Sequence, residues 1–149
     1  LQAAKSLTQN VHLQLGYDAR RMQDAADEGT FNHDFDRGWA TLGLTGLLPW
    51  QLDASLTGEI WDSQQSDLRT WGAELARHFA EKLEAAAGTY YSLYEYDLYQ
   101  ARELDHVRVW YLRLVHDRHG PVRLELRYEF EEDPIDQYHD LRLGALWQF

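Results

Sequence analysis

The chain has 149 residues, no cysteine, and 14 Lys+Arg against 25 Asp+Glu, for a formal net charge of −11. This length suits one domain over 1–149; the missing cysteine excludes disulfides, zinc ribbons and thiol nucleophiles, and the acidic balance argues against nucleic acid as a partner. Mean hydropathy is −0.59 and the longest apolar run is four residues, Val109 to Leu112, so no segment could cross a membrane as a helix.

Residues 1–8 read as an N-terminal lead-in, and a start at Leu1 with no visible signal peptide suggests a processed or trimmed product. The first predicted strand covers about 9–22, with Val11, Leu13, Leu15 and Tyr17 on one face and His12, Gln14, Gly16 and Asp18 on the other. The second, about 36–47, sets Ala40, Leu42 and Leu44 against Arg37 and Thr41. The third, about 51–62, sets Leu52, Ala54, Leu56 and Ile60 against Asp53, Ser55, Thr57 and Glu59. The fourth, about 68–79, sets Trp71, Ala73, Leu75 and Phe79 against Thr70, Gly72, Glu74 and His78. The fifth, about 82–97, has tyrosines on both faces. The sixth, about 104–117, holds Val107 and Val109 out of phase with Leu112 and Leu114, which predicts a β-bulge near Trp110. Segment 66–88 is also rich in helix formers, and Leu68, Trp71, Leu75 and Phe79 fit helical spacing as well as strand alternation.

The last two strands are the clearest. In 122–131, Val122, Leu124, Leu126, Tyr128 and Phe130 oppose Arg123, Glu125, Arg127, Glu129 and Glu131. In 140–149, Leu141, Leu143, Ala145, Trp147 and Phe149 share a face opposite Asp140, Arg142, Gly144 and Gln148. The connections alternate: 48–50, 80–81 and 118–120 are short, whereas 23–35, 63–67, 98–103 and 132–138 are longer and acidic. Eight up-and-down strands with this alternation predict an all-β, antiparallel barrel.

The terminal LGALWQF resembles the C-terminal insertion signal of Gram-negative outer-membrane β-barrel proteins, through Gly144, Trp147 and a final Phe149; Leu143 departs from the usual polar first position. The resemblance implies a transmembrane β-barrel of the small eight-stranded type, or the C-terminal part of a larger barrel. It further implies an outer-membrane location, short periplasmic turns and longer extracellular loops, recognition by the barrel-assembly machinery, and contact with outer-membrane lipid and lipopolysaccharide. Other membrane-complex subunits are further candidate partners.

In such a barrel Trp50, Trp147 and Phe149 would form one aromatic girdle and Trp39, Trp61 and Trp71 the other. Arg123, Glu125, Arg127, Glu129 and Arg142 would form an interior polar ladder, acting as a salt-bridged plug or the lining of a pore. Glu131, Glu132, Asp133 and Asp136 make an acidic loop that could hold a divalent ion. His116-Asp117-Arg118-His119 has the spacing of a metal pair but reads as a solvated turn. Ser92 and His106 could approach across strands, yet no nucleophile–base pair is demanded, so the expectation is a non-enzymatic protein without cofactor or resident metal. Alternation alone leaves a soluble, lipocalin-like barrel and a porin, conduit or exporter open.

Overall fold

A computed structural model describes residues 1–20, 34–63, 66–79, 82–98, 101–117 and 122–147. Those residues form a nine-stranded antiparallel meander in which each strand pairs with its neighbours in sequence. The strands are β1 (Gln2–Thr8), β2 (Val11–Arg20), β3 (Phe35–Leu48), β4 (Leu52–Ser63), β5 (Ser66–Phe79), β6 (Leu83–Leu98), β7 (Ala101–Asp117), β8 (Val122–Glu132) and β9 (Gln137–Trp147). The described residues contain no α-helix.

The fold is all-β and up-and-down, as expected, but four expectations need correcting. Residues 2–8, read as a lead-in, are a strand paired to β2. The sheet has nine strands rather than eight, and β1 and β9 do not pair, so it is open rather than closed into a barrel. Two of the long connections are largely strand: β5 begins at Ser66, while β6 and β7 run to Leu98 and from Ala101. The β6–β7 register is unbroken from Leu83–His116 to Leu98–Ala101, so there is no bulge at Trp110. Shifts occur instead between Ser6 and Thr8 and between Leu44 and Leu48, at the ends of β1 and β3.

The ambiguous stretch 66–88 is strand. Its Ala- and Glu-rich composition favours helix locally, but β5 and β6 are flanked by β4 and β7, which supply ladder partners for their backbone groups.

Register fixes two faces, because directly paired residues share a side. One face is largely apolar and exposed, although Arg69, Arg77, Arg108 and Glu132 also lie on it. Every exposed large hydrophobic side chain described on β2 to β8 belongs to it, among them Leu15, Ile60, Trp71, Trp110, Leu112 and Leu126. The other face is polar and is the more enclosed of the two along β3 to β8, whereas on β2 and β9 most of its residues are exposed. The most buried residues, Val109, Val115, Ala86, Ser92 and Glu129, all point there, with Val109 at 1% and Glu129 at 9% exposure. Hence Val107 and Val109 are out of phase with Leu112 because they fill the crowded side, while Trp110 joins Leu112 and Leu114 outside. The large exposed hydrophobic side chains of β2 to β8 and the most buried residues thus lie on opposite sides of the sheet.

Candidate functional site: the enclosed polar face

The site is assembled by register. Arg113, Arg127 and Arg142 are directly paired neighbours on β7, β8 and β9 and form one row of guanidiniums. Like charges set directly opposite destabilise a sheet, so such a row requires carboxylates close by. Glu74, Glu129 and Asp140 supply them on one side of the row and Glu84 on the other. Arg113 bridges Glu84 at 2.9 Å and Glu74 at 3.4 Å. Arg127 meets Glu129 at 2.6 Å. Arg142 reaches Asp140 at 2.5 Å and Glu129 at 3.3 Å. On β3 and β4, Arg37 makes a two-pronged contact with Glu59 at 2.8 and 3.1 Å.

A glycine positions the centre of this network. In the ladder Gly88 lies between Glu74 and Tyr111. With no side chain at 88, the Tyr111 ring lies across the gap and its hydroxyl donates to Glu74 Oε2 at 2.7 Å. Arg127 stacks on the same ring at 4.8 Å. Trp39 covers Gly16 in the same way, its indole occupying the space that a Cβ would need.

Of the predicted interior ladder, Arg127, Glu129 and Arg142 are brought together; Arg123 and Glu125 share their face but make no ion pair among the described residues. Sequence reading missed Arg113, Glu84 and Tyr111 as members. Arg113 sits between leucines in alternation, which was signal enough; Tyr111 needed the register.

The residues expected to form aromatic girdles divide between the two faces. Trp71 and Trp147 lie on the apolar face, together with Trp110, which was not expected there. Trp39 and Trp61 point to the enclosed face, on the side of Glu59 and Arg37, and leave the girdle. Trp50 is exposed in the β3–β4 connection, with φ of 62°. In the insertion motif, Gly144 faces the polar side beside Glu125 and Trp147 the apolar side; Phe149 lies outside the described residues.

The carboxylates of the acidic loop do not converge on one point. Glu131 and Glu132 point to opposite faces. Asp133 is consumed by its own turn, accepting from the amides of Ile135 at 2.8 Å and Asp136 at 2.6 Å. Among the described residues no group of three or more His, Asp or Glu is arranged to hold a metal ion. Ser92 and His106 also stay apart: Ser92 is enclosed and hydrogen-bonded to Thr70, whereas His106 lies on the apolar face against Tyr91. His119 lies outside the described residues.

The two amide donors hold the Asp133 carboxyl below the usual carboxylate range. A depressed folded pKa stabilises the turn above the unfolded value and is lost as pH falls through the folded one. Carbon-detected titration of Asp133 should therefore show a midpoint below that of an unstructured aspartate, and Asp133→Ala should speed amide exchange at 135 and 136 at neutral pH.

No protein-family model, no curated protein and no solved structure matches the chain.

Proposed function

We propose that the chain forms a membrane-spanning part of an outer-membrane β-barrel wall, in a barrel larger than the nine strands of its described residues, with the polar face lining a non-enzymatic conduit. One observation carries this reading: the more exposed face is the apolar one, and along β3 to β8 the charged face is the more enclosed. A lipocalin-like soluble barrel requires the opposite, and soluble monomers rarely leave so continuous an apolar surface in water.

The dimensions agree. On β4 every apolar-face residue from Leu52 to Ile60 is aliphatic or glycine. That run spans about 26 Å along the strand, or about 20 Å of height at a tilt of roughly 40°. Beyond it Asp36, Asp62, Asp67 and Glu95 form one ladder row across four strands. Such a row of like charges belongs in water or headgroups, at the rim of the band.

Strand number argues for a larger barrel. In lipid every backbone N–H and C=O must be paired, so the edges of β1 and β9 need partners. Strands one and nine of a meander run the same way, and joining them would make a parallel seam. An odd number of further antiparallel strands closes the wall with an even total. Eight strands leave an interior that side chains fill, whereas much wider barrels hold water. The motif around Gly144 and Trp147 supports a Gram-negative outer membrane, with the assembly machinery and lipopolysaccharide as partners.

Single-tryptophan variants in vesicles with brominated acyl chains test the reading. Trp71 and Trp110 should be quenched by the lipid, and Trp39 and Trp61 should not. Quenching of Trp39 and Trp61 instead, or failure of the protein to enter vesicles, would defeat it.

A further inference from the structure

The enclosed face holds more carboxylate than it neutralises. Around the arginine row, four carboxylates (Glu74, Glu84, Glu129 and Asp140) meet three guanidiniums. Towards the other end, Arg37 is matched by Glu59 and lies opposite Asp18 in the ladder. Arg123 adds one positive charge at the turn end of β8. Two further glutamates on β8, Glu125 and Glu131, make no ion pair among the described residues. They stand on either side of Arg127, about 20 Å apart along the strand. The positive charge of the central row is thus already committed to short contacts, while Glu131 remains unmatched on one side of it and Glu125 stands beside Arg123 on the other.

We infer that this face lines a path that prefers small cations, with Glu125 and Glu131 as the groups that set the preference. The inference rests on the barrel reading above. Unneutralised carboxylates between low-dielectric walls raise the local concentration of cations. An anion passing the same wall meets Glu131 unscreened, and to bind an arginine of the central row it must first displace a carboxylate from a hydrogen-bonded pair, leaving that carboxylate without its partner.

The test compares the full-length protein with Glu125→Gln/Glu131→Gln in planar bilayers under a KCl gradient. Wild type should show a reversal potential of cation-selective sign. The double variant should lower the cation-to-anion permeability ratio at least twofold. A chain that enters the bilayer but conducts no ions, favours anions, or keeps its ratio in the double variant would overturn the cation path and leave the barrel reading standing. Failure of wild type to insert would overturn both. Should the double variant not assemble, Glu131→Cys provides the second arm, since the chain has no other cysteine. A cationic thiosulfonate should modify that thiol several-fold faster than an anionic one; equal rates or the reverse order would overturn the inference.

Discussion

Leu112→Arg should abolish assembly into membranes. Leu112 is 58% exposed, in the middle of the apolar stretch of β7, with Ala87 and Tyr128 as its ladder neighbours. On a water-facing surface the change would fall within about 0.5 kcal/mol of neutral, because an exposed leucine gives up little when it becomes arginine. On a lipid-facing surface near the midplane it costs about 2–4 kcal/mol. The same substitution therefore gives opposite results under the two readings. Heat-modifiable gel migration after refolding into lipid provides the measurement: wild type should shift on boiling and Leu112→Arg should show no folded band. Ser55→Arg is the control, since Ser55 lies on the enclosed face as the ladder partner of Glu74 and can tolerate a cation. If Leu112→Arg folds and migrates as wild type does, the apolar face is not in lipid.

The distribution of glycine and alanine over that face is relevant to the choice of position. Gly38, Ala40 and Gly58 sit together on β3 and β4, and nothing approaches within 4 Å of a Cβ built on either glycine. A charge introduced there could fold back over neighbouring small residues and reach the rim. Leu112 is flanked along its strand by Trp110 and Leu114, which deny an arginine that route.

What alternation could reveal was which side of a strand each residue occupies. For β2, β4, β5, β8 and β9 that assignment is the one observed; in β2, β4, β8 and β9 one parity is nearly free of charge over the band, and in β5 the central Trp71, Ala73 and Leu75 set it although Arg69 and Arg77 share their face. It failed on β7, where Val107 and Val109 are apolar yet enclosed. Hydrophobicity cannot tell lipid from a crowded interior, and the expected bulge was an attempt to put all apolar residues on one side. It also failed at strand ends. Asp67 has low β propensity and reads as loop, yet its backbone continues the ladder opposite Asp62 into a connection of only residues 64 and 65. Strand β1, QAAKSLT, has little alternation of its own and is held by β2 through register alone. The site suffered most, because the arginine row and the Glu74–Gly88–Tyr111 alignment join residues far apart in sequence. No local spacing encodes which residue of β5 stands opposite which residue of β6.

That alignment leads to the second large effect. Gly88→Val should disrupt the enclosed face more than any single removal of a charge at its rim. A Cβ at 88 would stand 2.4 Å from the Tyr111 ring, and the ring is held from three sides: by the Glu74 hydrogen bond, by Arg127 above it, and by Tyr90 with ring centroids 6.4 Å apart. The ring cannot yield without releasing Glu74, which would then rely on Arg113 alone at 3.4 Å. Overpacking costs about 1–3 kcal/mol, and losing a hydrogen bond to a charged group about 1.5–3 kcal/mol. Tyr111→Phe separates the two contributions: it keeps the ring over Gly88 and removes only the donor, so it should lose only the second amount. In Gly88→Val/Tyr111→Ala the clash has no partner, and the loss from the glycine change should fall well below its value alone. Urea unfolding of the lipid-embedded protein, monitored by the folded gel band, gives the midpoints of wild type, Gly88→Val, Tyr111→Ala and the double variant, which make up the cycle. Additive losses would mean that the tyrosine does not depend on the space left at 88.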